Sequence, residues 1–296
     1  MAELTNKGEK IFKTPWGNVI LNVDTACIVI KLSSGFDSAL LLYMLAKTAK
    51  ELNPSVRIHP VTVRRSNTSG LDCWDRVDNY KNALGVLQWV KSEFPEISIS
   101  DGICFDAEHW WNCDPDSQFM ESHHTYIVGQ QILGRYVVEK EMKLGNLEGY
   151  THRVINYSGV TKNPDFELGG FNPEVSRNKK IETSDIDNTY SPTDSVSVIY
   201  KSELMNKTLS VDPFRNGDKR VTFYLADALG ILDKLLSISR SCEGSRELSN
   251  NWTEECHHCW WCYERTWANE TFDNSQHFDQ EKYKSEKYFN NMRKIV

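Results

Sequence analysis

The sequence predicts an α/β protein organised on a parallel sheet with helices on both faces and closed by a cysteine-rich C-terminal segment. Three observations carry this expectation. The apolar run at 26–32 leads through Ser33-Ser34-Gly35-Phe36-Asp37-Ser38 directly into a helical pattern at 38–52. Strand-like and helix-like stretches alternate beyond it, the order that parallel strands joined by crossover helices require. Near the C-terminal end Cys256, Cys259 and Cys262 are separated by two residues each, with Cys242 upstream.

Each element has its own justification. Residues 10–23 read as a hairpin turning near Pro15-Trp16-Gly17. The run at 26–32 is too uniformly apolar for a half-exposed strand and reads as a buried one, and the Leu, Met and Ala spacing after it gives the first helix. A second strand at 56–63 precedes a helix at 78–94, and a third at 97–104 leads through a polar loop to a long helix at 125–144. A fourth strand follows at 153–157. Residues 162–212 are rich in Asn, Asp, Ser and Thr, with a strand-like stretch at 196–200, and read as an insertion or flap. A helix at 219–229 precedes the cysteines. The chain thus divides into a core with its N-terminal hairpin at 1–161, the insertion at 162–212, and a helical four-cysteine segment at 213–296 packed on the core.

Composition narrows the function classes. With 296 residues, 40% hydrophobic and 25% charged, the chain is long enough to bury a substantial core. Its 34 basic and 41 acidic residues give a net charge of −7, which offers no broad basic field for duplex nucleic acid and leaves only a local patch open. No apolar stretch approaches the roughly 18 residues that span a bilayer, and MAELTNKGEK lacks a signal-peptide core, so no membrane role and a cytoplasmic location are expected. In a reducing compartment, crowded cysteines favour metal over disulfides.

The junction at 33–38 is the first candidate site. In an open parallel sheet, ligands sit at the carboxyl ends of the strands, where helix N-termini offer free N–H groups to anions. Small residues let a phosphate approach the backbone, and the Ser33 and Ser38 hydroxyls add donors. Asp37 fits a Mg²⁺ ion bridging to a polyphosphate, or a helix N-cap in an ordinary strand-to-helix turn. The common G-x-x-x-x-G-K-[ST] phosphate loop is absent. The second candidate is the cysteine cluster. Four thiolates from Cys242, Cys256, Cys259 and Cys262 suit a closed tetrahedral zinc site, with His257 or His258 as substitutes for one of them and a redox C-x-x-C pair as the other reading.

The string Ser33-Ser34-Gly35-Phe36-Asp37-Ser38 resembles the S-G-G-x-D-S loop of the PP-loop ATP pyrophosphatases, whose fold is adenine nucleotide alpha hydrolase-like, with Ser34 in place of the first glycine. Further stretches resemble the 7-cyano-7-deazaguanine synthase (QueC) family in order. Thr125 to Gln131 is similar to its T-F-V-P-G-R-N helix start, and Asn156-Tyr157-Ser158-Gly159 to its D-F-S-G. The segment Pro213 to Lys219, then Ser241-Cys242, then Cys256 through Arg265 resemble its C-terminal zinc segment. Three stretches depart from the pattern: Val128-Gly129-Gln130-Gln131 stands where the family has Pro-Gly-Arg-Asn, with Gln130 replacing the cation, Asn156 where it has aspartate, and Val63-Arg64-Arg65-Ser66 where it has Tyr-Gly-Gln.

The resemblance implies an ATP-dependent carbon–nitrogen ligase that releases AMP and pyrophosphate while adenylating a carboxylate of a deazaguanine-like acid, with ammonia completing an amide or nitrile. It implies ATP, Mg²⁺ and Zn²⁺; Asp37, Ser38 and Lys219 as catalytic residues; and Ser33, Ser34, Gly35, Phe36, Asp37, Ser38, Val63 and Gly129 around the nucleotide. Asn156, Tyr157, Ser158, Gly159 and Gln130 would meet the substrate, Tyr157 or the Trp260-Trp261 pair by stacking. The four cysteines would hold the zinc. Lys219 also reads as a solvated lysine at a helix start, Arg265 as a brace of the cysteine segment, and the tryptophans as packing. A homodimer, a divergent protein or nucleic-acid acceptor, and a non-catalytic protein-binding role stay open at this point.

Overall fold

The computed structural model describes residues 2–4, 8–64, 79–106, 152, 154–162, 189–202, 208–242, 254–257 and 260–273. The hairpin pairs β2 (Glu9–Thr14) with β3 (Gly17–Asn22), and β1 (Ala2–Leu4) flanks it, all antiparallel. Its turn is set by Thr14, whose hydroxyl donates to the Gly17 carbonyl at 2.6 Å. Gly17 has φ +127°, and a side-chain carbon there would come to 3.1 Å from the Asp194 carbonyl oxygen. Only glycine serves at that corner.

The second sheet has eight strands: β4 (Cys27–Lys31), β5 (Arg57–Arg64), β6 (Ser98–Ile99), β7 (Ile103–Asp106), β8 (Val154–Tyr157), β9 (Thr189–Tyr190), β10 (Val198–Ser202) and β11 (Thr208–Asp212). Their order is β6-β5-β4-β8-β11-β10-β9, with β7 also paired to β5. The pairs β4·β5, β4·β8, β5·β6, β5·β7 and β8·β11 are parallel, and only β10 runs against its neighbours. The helices are α1 (Phe36–Leu52), α2 (Asn79–Glu93), α3 (Lys219–Ala228), α4 (Leu232–Ile238) and α5 (Trp260–Thr271). This is the α/β architecture with a mostly parallel central sheet that the alternation predicts. The expected helix at 125–144 lies outside the described residues.

The core follows from the period of two along each strand. Ile28, Ile30, Ile58, Ile155, Tyr157, Leu209 and Val211 join α1, α2 and α3 in one apolar cluster, while Cys27, Val29, Val61 and Val154 form a smaller one. Helix α1 is buried on nearly every side, from Phe36 to Ala49, which explains its apolar run from Ala39 to Leu42. The second half of the stretch read as an insertion or flap proves to be sheet: β11 lies beside β8 and carries β10 and β9 outward. Alternation explains it, for Leu209 and Val211 are buried on either side of the half-buried Ser210. Its Asn- and Ser-rich surroundings mask the pattern in a composition reading.

Two fastenings hold the hairpin down. Arg220 forks onto Asp218, the N-cap of α3, at 3.0 and 2.7 Å, and its guanidinium lies 5.3 Å from the Trp16 ring and 5.0 Å from the Trp267 ring. Flat, weakly hydrated guanidinium suits such a sandwich where an ammonium would not. The Tyr157 hydroxyl, in turn, accepts from Asn22 N–H at 2.7 Å and donates to the Asn22 carbonyl at 2.8 Å. Burial pushes this phenol well above the ordinary tyrosine range. Tyr157→Phe leaves both Asn22 backbone groups without that partner and is expected to cost about 1–3 kcal/mol in denaturant unfolding; an unchanged midpoint would show that the hairpin is held without it.

Candidate functional site

The sheet reverses its direction of growth between β4 and β8. From β4 the chain crosses through α1 to β5 on one side, whereas β8 lies on the other, so a crevice opens at their carboxyl ends. The residues that leave these ends are the 33–38 loop and Ser158-Gly159. They pack together: a side-chain carbon at Gly159 would come to 3.0 Å from the Asp37 carbonyl and 3.1 Å from the Ser38 nitrogen. A side chain there would press on the loop backbone, which would have to shift by a few tenths of an ångström.

Inside the loop, the Ser38 hydroxyl accepts from Ser33 N–H at 3.2 Å, donates to the Gly35 carbonyl at 3.0 Å and lies 3.2 Å from the Ser33 hydroxyl. It closes the loop on itself. Ser34 takes φ 68°, the left-handed conformation that the glycine of the resembled loop would adopt without strain. Among the described residues no acceptor meets the N–H groups of Ser34, Gly35, Asp37 or Ser38. Together with the 17-residue α1 behind them, they form a cradle for an anion.

Asp37 is not the helix cap. The N-cap is Gly35, and Asp37 stands two residues inside α1. One carboxylate oxygen accepts from Lys219 Nζ at 2.8 Å and the other from the Thr222 hydroxyl at 2.9 Å. Each oxygen keeps a second lone pair, so these bonds orient the carboxylate without filling its capacity as an acceptor. Lys219 is not the solvated lysine of a helix start either. It is 1% exposed and lies between Asp37 and the fully buried Glu264, whose carboxylate is 3.4 Å from Nζ. The loop, α3 and α5 therefore meet at one ammonium group.

The acceptor residues separate by strand parity. Tyr157 points into the core and onto Asn22, so it offers no stacking face. Asn156, one residue earlier, belongs to the opposite side of the sheet, half-buried and paired in register with Val29 and Ser210. Ser158 N–H donates to Val211 at 3.2 Å. Val63 lies in β5 opposite Phe105. Phe36, assigned to the nucleotide, is fully buried and stacks on Phe223 at 4.1 Å, leaving only its backbone to the loop. Gly129, Gln130, His258 and Cys259 lie outside the described residues.

At the cysteine centre, the sulfurs of Cys242, Cys256 and Cys262 all lie within 4.8 Å of one another. Cys256 and Cys262 are 3.9 Å apart, close to the roughly 3.8 Å that two thiolates share on a tetrahedral zinc. Cys256 N–H points at Cys242 Sγ, 3.2 Å away, and His257 turns the chain away at φ 56° with its side chain exposed. His257 is not part of the cluster. The three sulfurs are placed to share one metal ion. Arg265 acts as a brace: it pairs with Glu255 and donates to the carbonyls of Ser239 at 3.2 Å and Leu236 at 2.7 Å.

Three contributors escaped the sequence reading, and a fourth, Ser241, was noted there only as part of the resembled cysteine segment. Thr222 sits one turn after Lys219, Glu264 two residues after Cys262, and Arg240 and Ser241 just before Cys242. Arg240 N–H donates to the Ser34 carbonyl at 2.8 Å, and the Ser241 hydroxyl accepts from Phe36 N–H at 3.3 Å. The i, i+3 spacing of Lys219 and Thr222 on one helix face was the available signal; no sequence pattern points to Glu264.

No protein-family model matches the chain. No curated protein matches it. Among solved structures, the U34-tRNA thiolase NcsA from Methanococcus maripaludis with its [4Fe-4S] cluster aligns over 91% of this chain and 71% of that one, at 10% identity and a TM-score of 0.38. So distant a structural similarity carries no argument about substrate or metal. Among the described residues no helix is long and apolar enough to cross a membrane.

Two stability measurements check the site. Ser34→Gly is expected to raise the unfolding free energy by up to about 1 kcal/mol, since relief of left-handed strain exceeds the added freedom of the unfolded chain; a loss would mean that the Ser34 hydroxyl, 3.4 Å from the Arg240 carbonyl, matters more. Lys219→Met strands two buried carboxylates and is expected to cost about 3–5 kcal/mol, with Glu264→Gln in the same chain recovering much of it. Additive losses in the double variant would show that Glu264 and Lys219 act independently.

Proposed function

We propose that this chain is an ATP-dependent carbon–nitrogen ligase of the PP-loop pyrophosphatase type, adenylating the carboxylate of a deazaguanine-like acid in the manner of the 7-cyano-7-deazaguanine synthases. One observation carries the reading: the 33–38 loop, with four N–H groups that meet no protein acceptor among the described residues, lies at the start of a buried helix in the crevice where the sheet changes direction. A polyphosphate is the ligand such a cradle suits, because hydrogen-bond donors and helix dipole act together on it.

The proposed reaction divides the residues by role. Backbone N–H groups of Ser34, Gly35, Asp37 and Ser38 hold the phosphates that leave as pyrophosphate. The Ser38 hydroxyl fixes the loop's shape. Thr222 donates to Asp37 and Asp37 pairs with Lys219, so α3 anchors the loop from behind, the lysine's charge being met there by Asp37 and Glu264. A substrate carboxylate oxygen attacks the α-phosphorus, the bond to pyrophosphate breaks, and ammonia then displaces AMP to leave an amide. Asn156 and Ser158, near the ends of β8 and beside the loop, are the acceptor-side candidates, and Tyr157 is withdrawn from that set. No step is assigned to Mg²⁺. Cys242, Cys256 and Cys262 fit a zinc ion with Cys259 as the fourth ligand of the resembled segment, and such an ion supplies folding energy to its loop rather than chemistry.

The test is product analysis with α-labelled ATP and candidate deazaguanine acids. AMP and pyrophosphate are expected, formed only with an accepted acid, together with an amide or nitrile visible by mass spectrometry. ADP and phosphate as the only products would overturn the reaction type. ATP bound but left intact with every acid would favour the non-catalytic, protein-binding role.

A further inference from the structure

We infer that the tripeptide Arg240-Ser241-Cys242 is a strut through which the cysteine centre sets the shape of the anion-binding loop, with Ser241 as its positioning residue. The inference rests on the proposed reading of that loop, but its central contacts stand apart from the identity of any ligand. Three successive residues reach two sites. Arg240 N–H holds the carbonyl of Ser34, the residue in left-handed conformation, at 2.8 Å. The Ser241 hydroxyl takes the Phe36 N–H at 3.3 Å, the first amide of α1. The Cys242 sulfur takes the Cys256 N–H at 3.2 Å and belongs to the three-cysteine cluster.

Geometry makes this more than proximity. A serine in left-handed conformation persists only where neighbours over-determine it, and Arg240 supplies a constraint on its carbonyl. By capturing Phe36 N–H, Ser241 fixes which amides remain for a ligand: Gly35 on one side, Asp37 and Ser38 on the other. A methyl group added at Gly35 would approach the Ser33 and Ser241 hydroxyls at 3.4 and 3.6 Å, so the strut packs against the loop as well as bonding it. The residue after Ser241 is a cysteine whose sulfur lies within 4.8 Å of those of Cys256 and Cys262. An ion shared by the three sulfurs would tie Cys242 to the other two, and removing it would free Cys242, and Ser241 with it, to shift from the loop.

Hydrogen–deuterium exchange on the intact chain tests the strut, read at residues 33–38 with the β2–β3 hairpin as reference. Stripping metal with a chelator is expected to speed loop exchange by about fivefold or more while the hairpin changes less than about twofold, the loss of one or two hydrogen bonds. In the metal-loaded protein Ser241→Ala is expected to reproduce the acceleration without loss of metal, and Ser241→Thr, which keeps the hydroxyl, to restore protection. A non-hydrolysable ATP analogue should bind about three- to tenfold more weakly to Ser241→Ala than to the parent and to Ser241→Thr. If chelation unfolds the hairpin too, the two Ser241 variants decide. Loop exchange unchanged by Ser241→Ala, or a chain that holds no metal, overturns the strut. Failure of the metal-loaded parent to bind the analogue, with the exchange coupling intact, overturns the nucleotide reading and leaves the strut standing.

Discussion

The contact between Lys219 and Asp37, 2.8 Å long and 1% exposed on the lysine side, is the constraint on which the rest of the site depends. Taking an ammonium and a carboxylate out of water costs several kcal/mol for each, and their attraction repays it only where the remaining hydrogen-bonding capacity is also met. Thr222 meets it on Asp37, and Glu264 lies on the far side of the lysine. The pair is therefore a demanding arrangement. It forms only when α1, α3 and α5 are all in place, and so it specifies their relative positions more narrowly than apolar packing alone.

Around that contact the two candidate sites become one assembly. The C-terminal segment reaches the loop by two routes: through Glu264 on α5 to Lys219, and through Arg240 and Ser241 to Ser34 and Phe36. Arg265 joins α5 to the end of α4 and to Glu255 beside Cys256. Gly159 completes the enclosure from the end of β8, in tight contact with the backbone of Asp37 and Ser38. A loop of small residues has little packing of its own, and what keeps it in one shape comes from elements distant in sequence.

The fold was legible because its signals are local. Apolar runs marked β4, β5 and β8, and the abrupt passage from Leu32 to Ala39 marked the loop. The site was legible only in part. Asp37 reads as a cap because Asp commonly caps helices, yet tertiary contacts with α3 claimed both its oxygens. Tyr157 reads as an exposed ring beside Ser158 because a strand's period gives two faces without saying which is buried. Lys219 looks solvated because lysine usually is, and nothing near it in sequence announces Glu264. The stretch at 196–200 marked β10, but β9 and β11 were obscured by polar neighbours, which dilute a two-residue period over so short a run. In each case the missing information is a pairing between distant segments.

The guanidinium of Arg220, held between Trp16 and Trp267, has a consequence for how the protein is made. One ring belongs to the β2–β3 hairpin and the other to α5, so the sandwich closes only after Trp267 has emerged, roughly 250 residues behind Trp16. β4 likewise waits for β8, and β8 for β11. Contacts of such long sequence separation are slow to form, and until they do the apolar face of the hairpin stays open to other chains. During synthesis, then, the hairpin waits longest of the described elements for its tertiary partners.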